Sequence, residues 1–498
     1  MILSMAEGVG HTIALRSDGT VWAWGRNDYG QLGDGTTANR LTPVQVAGLS
    51  DVKMVAAGYE HSLALRSDGT VWAWGRNDYG QLGDGTATSR LLPVQVQGLF
   101  DVVAVAAGGY HSLALKSDGT VWAWGWNSTG QLGNNTTVDS SIPVQVQNLA
   151  GVTAISAGRE HSLALKSDGT VWAWGYNGFG QLGDGSTVNR RIPVHITSLS
   201  DVAAIAGGGF FSLALKSDGT VWAWGDNSKG QLGDGTTSSR SFPAQVVGIA
   251  GVIGIVAGGY HSLALLLDGT VWGWGLNHKG QLGDGSTENR LYPTQTQEIS
   301  GVVAIAAGGD TSLALKKDGT VWAWGANGTG QIGDGTTIAR MLPVQTAGIS
   351  GVIEPQSPLY PPSDCQDGPT RKCVVVTAAV GQDLAISVTP GTVDFGTVHP
   401  SGSPFEMASA VLVEVKSNVS WAARHSQSPP SGSAAQLPPL EWREEAGSWQ
   451  EIPLQPAEFA SGSDTAGDQH LISYRLSVPF TVPPGQYQGT VVYEVVPQ

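Results

Sequence analysis

Cysteine is nearly missing from this chain: 2 of 498 residues, Cys365 and Cys373. Two thiolates are too few for a structural zinc site built from cysteine alone. Eight positions apart, they suit a small disulfide loop or two idle thiols, and we expect the disulfide. Charge is scarce too. Charged residues make up 13% of the chain, about half the usual ~25%. Lysine and arginine number 26 against 41 acidic residues, for a net charge of −15. Duplex nucleic acid normally demands a basic surplus, so nucleic acid is not an expected partner. No apolar run approaches the roughly 18 residues of a membrane span. The start, Met1 to Gly8, has neither a basic region nor a long apolar stretch, so no signal peptide is visible. A helical period is also lacking, which excludes bundles and coiled coils.

Glycine and tryptophan are abundant, at 70 and 18 residues. Apolar residues reach 41%, too many for a disordered chain. Many glycines, many indoles and little charge point to tight turns between buried strands.

A strict repeat explains the composition. Gly-Thr-Val-Trp recurs every 50 residues at 19–22, 69–72, 119–122, 169–172, 219–222, 269–272 and 319–322. Residues 16–36 and 66–86 are identical. Seven copies fill 1–350. In the third copy, 101–107 is a candidate strand, and His111–Lys116 alternates with Leu113 and Leu115 on one face. Asp118-Gly119 suggests a two-residue type I′ turn. Thr120–Trp124 alternates again, with Trp122 and Trp124 sharing a face. Pro143–Val146 reads as an edge strand, where proline is tolerated. Four short strands per copy predict an all-β, seven-bladed β-propeller over 1–353.

The string Gly108-x-x-His-Ser-Leu-Ala-Leu-Lys-Ser-Asp-Gly-Thr-Val-Trp-Ala-Trp-Gly-x-Asn-x-x-Gly-Gln-Leu-Gly133 resembles the regulator of chromosome condensation repeat, of a bacterial type. The resemblance covers all seven copies and implies a seven-bladed propeller. Family members include guanine-nucleotide exchange factors for a Ran-type GTPase, a plant ultraviolet-B photoreceptor and a secreted bacterial β-lactamase inhibitor. Fold therefore does not fix function. In the photoreceptor, tryptophans lie just before the repeat histidine. Here Gly10, Glu60, Tyr110, Glu160, Phe210, Tyr260 and Asp310 stand there, so light sensing is not expected. All copies have one length, so no blade carries the inserted wedge that exchange would need.

The tail differs. Residues 354–372 form a Pro-rich linker. Alternating strands follow at 373–377, 384–388, 410–415, 471–477 and 488–495, predicting a small immunoglobulin-like β-sandwich over 373–498. Val393-Asp-Phe-Gly-Thr-Val is similar to segments of modules appended to bacterial surface proteins. This tail and the cysteine pair point to an extracellular or cell-surface protein. The absent leader points to the cytoplasm, and the chain starts inside a repeat strand.

Most chemistry-bearing residues have structural readings. Gly178-x-Gly-x-x-Gly183 and Gly328-x-Gly-x-x-Gly333 match a dinucleotide fingerprint, but no helix follows to meet a phosphate. The recurring His11, His61, His111, His161 and His261 sit a blade apart, too far for one metal, and each is expected to bond within its own blade. Neither a metal nor a cofactor is expected. Trp22, Trp24 and their repeats are expected to be mostly buried. Asp34 and Arg40 recur together in six copies and are lost together in the third, as Asn134 and Ser140. That predicts an ion pair on the Asp-Gly turn, within a copy or to the next blade.

Function is sought where copies differ. Position 9 holds Tyr59 and Arg159; position 10 holds Glu60, Tyr110, Glu160, Phe210, Tyr260 and Asp310. Position 26 holds Arg26, Arg76, Trp126 and Tyr176, and position 29 holds Tyr29, Tyr79 and Phe179. Tyrosine, tryptophan and arginine at loop ends are the composition of protein-binding hot spots. The expectation is a monomeric, non-enzymatic propeller that binds a protein through one face. A glycan is the second choice of partner. Nucleotide exchange and secreted enzyme inhibition are the alternative functions.

Overall fold

The computed structural model describes residues 2–349 and, beyond them, the backbone of strands between Arg371 and Pro497. The chain divides into two compact units, Met1–Gln356 and Ser357–Gln498. In the first, seven four-stranded antiparallel sheets each take their strands in order from one repeat. The third blade comprises Val102–Ala107, His111–Lys116, Val121–Gly125 and Ser140–Gln145. No helix occurs among the described residues. The first strand of each blade is innermost, and its end helps to line an axial cavity of about 110 Å³.

Two local expectations need correction. The hairpin after Lys116 is not a two-residue turn. Gly119 N donates to Lys116 O and Lys116 N to Thr120 O, so three residues form the loop. Gly119 alone takes a positive φ, +77°. Asp118 has no positive φ, and its carboxylate accepts from Thr120 N and Oγ1, at 2.9 and 2.6 Å. The outer strand starts at Ser140, before Pro143. Its ladder is irregular between the Ala123 and Gly125 pairings, where the proline's missing N–H does no harm.

The tryptophans divide by position. Trp24 and its six repeats are wholly buried. Trp22 and its repeats are only half-buried, which corrects the expectation for that set. Trp22 lies nearer the exposed hairpin and donates to Thr20 Oγ1 at 3.2 Å. Long cationic stems cover several of these rings, Arg16 at 5.5 Å from Trp22 and Lys166 at 4.6 Å from Trp172.

Blades join through one repeated latch. Gln31 of the first blade offers its carbonyl to the second. Trp74 Nε1 and Ser62 Oγ each donate to it at 2.8 Å. His11 Nε2 lies 3.0 Å from the same Ser62 Oγ. The histidine thus bonds to the following blade, not to its own. A single hydroxyl proton makes one donation, so the serine gives it to Gln31 and receives one from His11. The histidine Nδ1 atoms then have no partner. Burial holds all five imidazoles neutral, with pKa values near about 3. A Cβ at Gly108 would collide with His111 Cε1, and at Gly208 with Phe211 Cε1. Phe211 therefore fills the histidine site by shape.

The seam between blades seven and one uses Thr12 Oγ1 and Trp24 Nε1, both 2.8 Å from Gln331 O. Thr311 is too short to fill the histidine site, and a Cβ at Gly308 would meet Glu7 Cγ instead. The six Asp–Arg pairs form within their own copies, at 2.5–2.7 Å.

In the second unit, Arg371–Ala379, Gln486–Pro497, Trp421–Gln427 and Ala457–Gly462 make one antiparallel sheet. Ala408–Lys416, Gln469–Ser477, Leu440–Glu444 and Gln450–Ile452 make another. Cys365 and the side chain of Cys373 lie outside the described residues.

Candidate protein-binding face

Backbone bonds bring the variable positions together. The residue at position 26 donates its N–H to the carbonyl at position 10: Arg76 to Glu60 at 2.8 Å, Trp126 to Tyr110 and Tyr176 to Glu160 at 2.9 Å. Position 29 is held by its own N–H on a glutamine side chain, as Tyr79 N on Gln81 Oε1 at 3.0 Å. Position 9 lies at the axis. Its N–H bonds to the next blade's turn in every copy, from Val9 N to Tyr59 O around to Gly309 N to Gly8 O. A closed circle of backbone hydrogen bonds therefore rims the cavity, and Tyr59 and Arg159 are part of its lining.

On this rim the side chains form one continuous network across five blades. Glu60 is buried between Arg26, at 2.8 Å, and Arg76, at 2.6 Å. Arg76 also lies over Tyr29 at 4.8 Å and Tyr110 at 5.2 Å. Tyr110 packs edge-on to Tyr59 at 5.7 Å and to Trp126 at 6.4 Å. A second cluster joins Tyr176, Phe179 and Phe210, with centroids 5.3–6.3 Å apart. Arg159 links the two, 5.4 Å from the Tyr59 ring and 5.1 Å from that of Phe210. Burial pushes the Tyr59 and Tyr110 hydroxyls up from their ordinary value. Burial also raises the Glu160 carboxyl, against the opposing pull of Arg159.

Two expected residues stand outside both clusters. Asp310 accepts from Gln281 Nε2 at 3.1 Å and lies 3.7 Å from His278 Nε2. Tyr260 makes no ring contact with the others among the described residues. Burial raises its hydroxyl pKa, and Asp226 adds to the rise. Asp226 itself is buried and accepts from Gln231 Nε2 at 3.0 Å. Glu7 was not anticipated as a feature of the axis. It is the one carboxylate at position 7, where the other copies have alanine or glycine, and that asymmetry was visible in the sequence. Its oxygens are buried, and burial drives its pKa well up against the opposing pull of the nearby Thr311 hydroxyl.

Residues 1–150 and 94–396 match the RCC1-like domain family. The chain belongs to this family. Among curated relatives, the Protein RCC2 homolog of Danio rerio is 43% identical over 47 residues, 9% of this chain and 10% of that protein. The Ultraviolet-B receptor UVR8 of Arabidopsis thaliana is 43% identical over 54 residues, 11% of this chain and 12% of that one. The matches thus span about a tenth of the length of these relatives. Human WBSCR16 superposes with a TM-score of 0.58 and 30% identity, covering 64% of this RCC1-like chain and 87% of that one. Prp20p of Saccharomyces cerevisiae, whose crystal structure was described with its binding to Gsp1p and histones, gives 0.56 and 29%, over 63% and 82% of the two chains.

Proposed function

We propose that this RCC1-like protein is a non-enzymatic module that engages a protein partner through the aromatic–arginine face around its axis. The carrying observation is the network from Tyr29 to Phe179, built on the positions that vary while the latch positions repeat. Half-buried aromatics and arginines beside a cavity rim offer large contact area at low entropic cost. Binding by Prp20p to Gsp1p and histones supports a protein partner over a glycan. The tail is proposed as an immunoglobulin-like accessory sandwich, with an extracellular or cell-surface setting.

Affinity capture with the full chain tests this reading. Proteins retained by the native chain should be lost, by about tenfold or more, on a chain carrying Tyr110→Ala and Trp126→Ala. Retention of the same proteins by both would defeat it. Nucleotide release from a Ran-type GTPase distinguishes the exchange alternative, and no acceleration is expected. Equal blade lengths support that expectation, because no blade carries an inserted element.

A further inference from the structure

The three arginines of the face are not equivalent. Arg26 pairs with Asp28 at 2.6 Å and with Glu60 at 2.8 Å. Arg76 pairs with Glu60 at 2.6 Å and with Asp78 at 2.7 Å. Each is held between two carboxylates inside the chain. Arg159 has a single carboxylate beside it among the described residues. Its Nε lies 3.3 Å from Glu160 Oε1 but is buried without an aligned hydrogen bond. Its terminal nitrogens have no hydrogen-bond partner among the described residues.

The guanidinium is nevertheless held in place. Tyr59 and Phe210, from blades two and five, contact it at 5.4 and 5.1 Å. Gly109 permits the close approach of this residue, since a Cβ there would stand 2.6 Å from Arg159 O and 3.3 Å from its Cγ. Aromatic contacts fix the plane of a guanidinium and strip part of its water, while its in-plane N–H groups remain free to donate. The side chain keeps 39% of its surface exposed. Arginine occupies position 9 in this copy alone. A pre-oriented, incompletely paired fork at the mouth of an aromatic rim matches a planar anion.

We infer that Arg159 anchors the partner by receiving the carboxylate of one aspartate or glutamate side chain on a partner loop, flanked by apolar or aromatic residues. This inference rests on the binding face proposed above. The charge balance selects a single carboxylate. Glu160 stands beside Arg159 and the chain carries −15, so an acidic run or a phosphate would meet repulsion. Apolar flanks match Tyr59, Tyr110 and Phe210.

The test pans a phage-displayed library of disulfide-constrained loops on the full chain. Recovered loops are then compared on three variants: Tyr110→Ala with Trp126→Ala, Arg159→Gln, and Arg159→Lys. Loops lost on the aromatic variant report the face. Among these, the inference expects one enriched acidic position beside aromatic residues. Binding should weaken by about tenfold or more on Arg159→Gln, with partial recovery on Arg159→Lys. Face-dependent loops without an acid, or binding equally to Arg159→Gln, overturn the Arg159 assignment and leave the face standing. If no loop depends on the aromatic pair, the face fails and the inference with it.

Discussion

Buried titratable residues set how the ring responds to acid and base. The five latch histidines are neutral in the fold, with pKa values lowered from 6.5 to about 3. The unfolded chain takes up these protons first. Stability is therefore full above about pH 6.5 and falls as the pH drops toward 3. At pH 5 each histidine costs about 2 kcal/mol relative to its neutral state. His161→Phe, copying Phe211, should cost about 1 kcal/mol at pH 7 for the lost bond to Ser212. It should also make acid unfolding shallower, as read by denaturant titration at pH 5 and pH 7. Glu7 works in the opposite direction. Its raised pKa means that the unfolded chain ionises first as the pH climbs above 4.5, so its contribution falls with rising pH. Glu7→Gln should raise Tm at pH 8 and lose that advantage at pH 4. An equal shift at both values would show that the carboxyl is solvated.

Within a blade, the corner between the third and outer strands is organised by one side chain. Asn27 Nδ2 donates to the carbonyls of Thr36 and Ala38, at 3.0 and 3.1 Å, while its Oδ1 accepts from Leu32 N. Asp34 Oδ1 joins the same centre, and Oδ2 takes Arg40. The third copy keeps the centre through Asn134 Oδ1 and drops only the ion pair. This predicts unequal costs in the fourth blade. Arg190→Ser should destabilise by no more than about 1 kcal/mol, since the pair is part-exposed. Asp184→Ala also orphans Ser186 N and takes one acceptor from Asn177 Nδ2, which keeps the carbonyls of Ser186 and Val188, and should cost about 1–3 kcal/mol. Equal costs, measured by denaturant unfolding, would make the ion pair the organiser. The corner also shows why Asn127 and Asn327, in glycosylation sequons, are already occupied: both side chains are buried in it.

Across the whole ring, the repeat made strand order, blade number and the six Asp–Arg pairs legible in advance. An exact period needs no side-chain geometry to be read. The destination of the histidines was not legible, because intrablade and interblade partners have the same spacing within the repeat. Nor was the separation of Trp22 from Trp24, which depends on depth along the strand and not on the face. Trp74→Ala should cost about 3–5 kcal/mol, by removing a wholly buried ring and its bond to Gln31. Trp72→Ala should cost clearly less. Candidate binding residues were legible as departures from the repeat, while their connection through Arg159 required three dimensions.

The ring also exposes apolar groups away from its axis, Val138 and Ile338 among them, at 72% and 62%. They offer the natural competitor to the axial face. A photo-crosslinking phenylalanine analogue, whose aromatic ring stands in for the indole at position 126, is placed there and separately at 338, and decides between the two surfaces. Each full-length chain is exposed to an extract of the cells it comes from and irradiated. The account predicts a discrete protein adduct from position 126, absent in a chain also carrying Tyr110→Ala and Arg159→Gln. The same adduct forming from position 338 and not from 126, or no adduct at 126 at all, would contradict it.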